Sequence, residues 1–167
     1  MSTSGSSTLP RVRVIGCGNA DAGDDAVGLS AVRELARSLR DRPNVDVAVA
    51  AMPVRVLELL TDVDAVVLVD AVITPAPPVP PGTVVRVEAG PEGLPSEVRP
   101  QLSSHGIGLA DAVRLAGALG RTPRVILLGI EVGSVVTGDG LSPSVASALP
   151  ALRAAVEREV ERLQAVG

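Results

Sequence analysis

Asp25, Asp70 and His105 are the residues of this chain best suited to do chemistry. Two carboxylates and one imidazole form a donor set for a divalent cation of borderline hardness. The carboxylates neutralise its charge, and the imidazole favours zinc or nickel over magnesium. No fixed local spacing ties the three together, so the fold has to bring them to one place. Each residue also has a plainer role open to it. Asp24 and Asp25 precede a helical run, where one can cap the helix and leave the second free to point into a crevice. Asp70 closes an apolar run, where an aspartate can simply form a turn. His105, in Ser103-Ser-His-Gly106, can be an exposed or hydrogen-bonded residue ahead of a helix.

What the chain lacks narrows the chemistry further. Among 167 residues there is one histidine, one cysteine, and no Phe, Trp or Tyr. Two-His and three-His zinc sites, cysteine-cluster metal sites and an intrachain disulfide are therefore excluded. Any metal must be held mainly by carboxylates, with His105 as the only possible imidazole. Cys17 reads as a small packed residue, because a Cys–His nucleophile pair would need His105 from across the crevice. A formal charge of −4 argues against a surface that tracks phosphates. Without aromatics there are no base-stacking platforms either, so nucleic acid is not an expected partner.

The loop Gly16-Cys-Gly-Asn-Ala-Asp-Ala-Gly-Asp-Asp-Ala-Val-Gly28 has the look of a dinucleotide-binding loop. The position of the third glycine is Asp21, and Asp24 and Asp25 would repel a pyrophosphate at the helix start. A Rossmann-like nucleotide binder is the weaker alternative on these grounds.

The elements that must position these residues follow from the apolar pattern. Arg11–Gly16, Val45–Ala50, Asp64–Asp70 and Arg124–Ile130 read as strands, the last two apolar on both faces as in a buried parallel sheet. Helical spacing runs from about Asp24 to Arg40, and from Pro53 to Leu60. A third helix is predicted from about Gly106 to Leu119, capped by Ser103 or Ser104. Ser142-Pro143 opens a long last helix. Thr74–Gly82 carries five prolines and must be an extended loop, so the strand Thr83–Val87 after it is expected to be antiparallel or at an edge. The sum is one α/β domain, a three-layer sandwich. Its twisted, mostly parallel five-stranded sheet is flanked by helices on both faces. Ligands of such sheets bind beyond the carboxyl ends of the strands, where Asp25, Asp70 and His105 all fall.

Residues 1–10 are Ser/Thr-rich, with no apolar segment and no basic residue before Arg11, and are expected to be a disordered tail rather than a secretory signal. No apolar run approaches the roughly 20 residues of a membrane span, so a cytoplasmic protein without membrane contact is expected.

Several motifs, in order and over nearly the whole chain, resemble the hydrogenase maturation proteases. They are Gly16-x-Gly-Asn-x-x-x-x-Asp-Asp-x-x-Gly28, Val69-Asp70-Ala71, Ser104-His-Gly-Ile-Gly-Leu109, Leu128-Gly-Ile-Glu131 and Gly140-Leu-Ser-Pro143. The resemblance implies a peptidase-like domain over 11–167 on a twisted sheet flanked by helices. It implies an endopeptidase that removes the C-terminal extension of a nickel–iron hydrogenase large-subunit precursor, acting as a monomer. Asp25, Asp70 and His105 match the family's metal ligands and would also be the catalytic set. The metal implied is the nickel carried by the substrate, with zinc or cadmium able to substitute. A non-catalytic, metal-dependent binding module on the same fold is the rival from another class. One stretch departs from the family: its Asp-Gly-Gly-Thr-like turn after the second strand is replaced by Ala50-Ala-Met-Pro53. With no aromatic side chains in the chain, substrate grip is expected to come from backbone, apolar side chains and the metal.

Overall fold

The computed structural model describes residues 8–104, 106–133 and 140–166. In chain order the elements are β1 (Val12–Cys17), a 3-10 turn (Gly23–Ala26), α1 (Val27–Ser38), β2 (Val45–Ala50), α2 (Pro53–Leu59) and β3 (Ala65–Ile73). They continue with β4 (Val84–Glu88), β5 (Arg99–Pro100), β6 (Ser103–Ser104), β7 (Ile107–Gly108), α3 (Leu109–Ala118), β8 (Arg124–Glu131) and α4 (Pro143–Ala165). The expected tail falls largely on residues 1–7, which lie outside the described residues.

Five strands form the body of the sheet in the order β2-β1-β3-β8-β4. The pairs β1–β2, β1–β3 and β3–β8 are parallel. Strand β4 lies at the edge and runs antiparallel to β8, as the proline-rich connection requires. Chain order reverses between β1 and β3: β2 lies on one side of β1, and the chain then crosses back to place β3 on the other. This switch point opens a crevice at the carboxyl ends of the two strands.

Alternation along the buried strands divides the core in two. Val14, Val67 and Val69 face α1 and α4, packing with Val32, Leu35, Leu152 and Val156. Ile15, Val66 and Leu68 face α2 and α3, packing with Val56, Leu109 and Val113. With no aromatic ring available, the largest fully buried side chains are Ile and Leu, so the layers interlock through small branched groups. Glycine supplies the closest approach. A Cβ on Gly28 would collide with the carbonyl oxygens of Val69 and Cys17, so α1 rests directly on the backbones of β1 and β3.

Three expectations need correction. The third helix begins at Leu109, and neither Ser103 nor Ser104 caps it. Those serines pair with Ile107–Gly108 as a small hairpin, and the helix start is held by Asp111 Oδ2, which accepts from Gly108 N–H at 3.0 Å. Strand β3 continues three residues past Asp70, because β8 and the short β5 extend its pairing to Val72 and Ile73. Helix α1 starts at Val27, preceded by the 3-10 turn that holds Asp24 and Asp25, and neither aspartate caps it.

The contact at Gly28 is testable. Gly28→Ala should destabilise the protein by on the order of 1–3 kcal/mol, as overpacked core sites do. Gly117→Ala, on an exposed face of α3 with open space around it, should instead raise stability by roughly 0.5–1 kcal/mol. Urea unfolding followed by circular dichroism separates the two.

Candidate active site

Asp70 stands in the strand at the middle of the sheet, on the β-face shared by Leu68 and Val72, and it is wholly buried. Pairing with β1 stops one residue earlier, at Val69 opposite Gly16. The space this frees is covered by the segment Arg99–Leu102. Gln101 N–H donates to the Ala71 carbonyl at 2.9 Å, and Leu102 N–H donates to Asp70 Oδ2 at 3.0 Å. The second oxygen, Oδ1, is buried and has no hydrogen-bond partner among the described residues.

Asp25 reaches the same crevice from the turn after β1. Gly18, at φ +139°, lets the chain fold so tightly that a side chain there would strike the Asp25 carbonyl. Asn19 N–H donates to Asp25 Oδ2 at 3.2 Å, and Asp25 Oδ1 is again buried, with no partner among the described residues. The two carboxylates sense one another. Burial pushes the Asp70 carboxyl up to about 8, opposed by the Leu102 N–H and reinforced by the Asp25 charge. Asp25 is raised too, chiefly by burial, with the Asn19 N–H working against the shift. Each of these two carboxylates has one oxygen held by a backbone amide and, among the described residues, one buried oxygen without a partner, which is the donor chemistry that hard divalent cations take.

The predicted set is thus brought together in part. Asp25 and Asp70 share the crevice, while His105 lies outside the described residues. Among the described residues no group of three His, Cys, Asp or Glu side chains converges in a metal-holding arrangement. In sequence His105 follows Leu102, the residue whose amide holds Asp70, by three positions, between β6 and β7.

Cys17 ends β1, fully buried. Burial first, then the charges of Asp70 and Asp25, push its thiol well above the ordinary range. It stays a protonated, packed side chain that, among the described residues, makes one long polar contact, to the Ile15 carbonyl at 3.8 Å.

Two carboxylates at the rim of this crevice have roles the sequence did not show. Asp24, read as a possible cap for α1, binds the start of a different helix: its Oδ1 accepts from Ser142 N–H at 2.6 Å, across 118 positions. Ser142 does occupy the N-cap position of α4, with Pro143 first in the helix, but its side chain makes no capping bond. Glu131, nearly fully buried at the end of β8, accepts from Thr74 N–H at 2.9 Å and Gly133 N–H at 3.2 Å. It thereby ties the end of β3 to the end of β8. Its place in the Leu128–Glu131 motif was the only signal for it. The departing turn Ala50–Pro53 contributes Met52 to an apolar cavity of about 230 Å³ between α2 and α3, lined also by Val54, Leu57, Ile107 and Leu115.

A family model described as hydrogenase maturation protease matches residues 29–159. The chain belongs to the hydrogenase maturation protease family. The matched residues include Asp70 and position 105; Asp25 precedes them. No curated relative matches this chain by sequence. Solved structures of hydrogenase maturation proteases share the fold. The hydrogenase maturating endopeptidase HybD from E. coli is 23% identical, with a TM-score of 0.70, over 91% of this chain and 93% of that one. The NiFe hydrogenase maturation protease HybD from Thermococcus kodakarensis is 25% identical at a TM-score of 0.70, over 90% and 99%. HycI from the same organism is 24% identical at 0.65, over 94% of each chain. The chain thus shares its overall fold with these solved proteases over 90–94% of its length.

The raised carboxyl at Asp70 sets a direction for pH dependence. The folded protein keeps a proton there that the unfolded chain gives up above its ordinary 3.8. Stability from this group is therefore full below that value and is lost as pH rises towards about 8. Asp25 acts with the same sign. Thermal melting of the metal-free protein should decline between about pH 4 and about pH 8, and Asp70→Asn should flatten that decline. Cys17 should resist alkylation in the native protein and react once it is unfolded, as followed by mass spectrometry.

Proposed function

We propose that this chain is an endopeptidase that removes the C-terminal extension of a nickel–iron hydrogenase large-subunit precursor. In this reading Asp25, Asp70 and His105 are both its metal-engaging and its catalytic residues. The observation that carries the reading is the pair of bare, buried oxygens, Asp25 Oδ1 and Asp70 Oδ1, at the sheet's switch point in a chain of this family. Buried carboxylate oxygens without donors are costly, on the order of 1–3 kcal/mol each, and a cation removes the cost.

The donors present suit a divalent ion of nickel or zinc type, if His105 adds its imidazole to the two carboxylates. A divalent ion bound there supplies Lewis-acid polarisation of the scissile carbonyl or activation of a water. The chain's own residues do the rest. The amides of Asn19 and Leu102 fix one oxygen of each aspartate and leave the other facing the crevice. Asp70 gives up its proton on binding, so metal affinity rises with pH. The nickel is the substrate's own, which makes it a mark of a precursor ready for cleavage; zinc or cadmium can take its place. Both carboxylates come from one chain, so a monomer suffices.

No helix among the described residues is long and apolar enough to cross a membrane. We place the protein in the cytoplasm, in keeping with its single cysteine. A nucleotide-binding role is disfavoured by the acidic 3-10 turn that stands where a phosphate would meet α1.

Incubation with a nickel-loaded large-subunit precursor, read by mass spectrometry, should show loss of the C-terminal peptide. Asp25→Asn, Asp70→Asn and His105→Ala should each reduce cleavage by at least about 100-fold while the circular dichroism spectrum is unchanged. Cleavage that survives Asp70→Asn would refute the assignment. Full metal binding without cleavage would favour the non-catalytic module instead.

A further inference from the structure

We infer that Asp24 is the positioning residue of the metal site, aiming Asp25 by fastening the 3-10 turn to the start of α4. This inference rests on the metal-binding reading of Asp25 and Asp70. The turn Gly23–Ala26 has no capping side chain of its own. Among the described residues, its one long-range tether through a side chain is the bond from Ser142 N–H to Asp24 Oδ1, at 2.6 Å. On the opposite side the Asp25 backbone lies against Gly18, with no room for a Cβ between them. The residue that presents the bare oxygen is therefore held between the β1 loop and the first residues of α4. That helix is itself anchored by the fully buried Val145. The bond is short and charge-assisted, and it satisfies an amide at the helix N-terminus, where a carboxylate is favoured. Partners that orient a ligand from behind commonly change metal affinity by 10–100-fold.

The test is isothermal titration of the full chain with zinc ion alone, alongside thermal melting. Asp24→Ala should weaken zinc binding by about tenfold or more. Asp24→Asn should restore it, because the carboxamide oxygen still accepts from Ser142 N–H. Ser142→Pro removes that amide hydrogen together with a hydroxyl that makes no capping bond, at a φ of −60° that suits proline. It should weaken binding as much as Asp24→Ala, with no further loss in the double variant. If Asp24→Ala does not fold, the contrast between Asp24→Asn and Ser142→Pro carries the same information. Lower melting temperature with unchanged zinc affinity in both Asp24→Ala and Ser142→Pro would reduce the bond to a structural one and overturn the inference. Loss of binding in Asp24→Ala but not in Ser142→Pro would make Asp24 a direct ligand and overturn it equally. Asp25→Asn serves as the separate control. If it binds zinc as tightly as the wild type, or if the wild type binds none, the metal reading itself fails.

Discussion

Burial of the Asp70 carboxyl in the middle of an apolar strand is the constraint around which this molecule is arranged. The side chain is fully enclosed, and among the described residues one of its oxygens meets a donor and the other none. In such surroundings a carboxyl either keeps its proton or finds a cation. The local backbone reflects that demand. Strand β1 ends its pairing just before Asp70, and the segment through β5 bends across the opening to offer the Leu102 amide. Two apolar layers, one on each side of the sheet, provide the stability that tolerates the penalty. A sheet without such backing could not keep a carboxylate poised in this way.

Close packing brings the second carboxylate to the first. Gly28 lets α1 settle onto the backbones of β1 and β3, and Gly18 folds the preceding loop against Asp25. The lack of aromatic residues, which at first seemed only a list of excluded partners, acts in the same direction. Val, Leu, Ile and Ala fill both cores, and no bulky ring separates the layers at the switch point. Small residues thus set the distance between the loops that carry the chemistry.

The parts legible in the sequence are those whose signal is local. The runs at Val66–Asp70 and Val125–Ile130 are apolar on both faces, and that pattern alone identifies them as central strands. Pro53 and Pro143 mark helix starts that the structure reproduces. Asp25 and Asp70 stood out because acids at the ends of apolar strands, or at a helix start, are conspicuous. What escaped the sequence depends on distant partners. The β6–β7 hairpin replaces a serine cap because Asp111, three residues into the helix region, already satisfies the Gly108 amide. Asp24 looks like a cap for the helix that follows it, and its bond to Ser142 has no trace in local spacing. Strand β5 is two residues long and exists only because β3 leaves an edge open there.

The tether between Asp24 and Ser142 also sets a timetable. The turn bearing Asp25 is made early in synthesis, yet its fastening amide belongs to a residue 118 positions later. Helix α4, whose inner face completes the core with Leu152, Val156 and Val160, follows every other described element in chain order. A nascent chain therefore carries both aspartates long before it has the scaffold that orients them. The turn and its fastening amide meet only once α4 has packed onto the sheet, so this part of the crevice is a product of tertiary assembly and not of its local sequence.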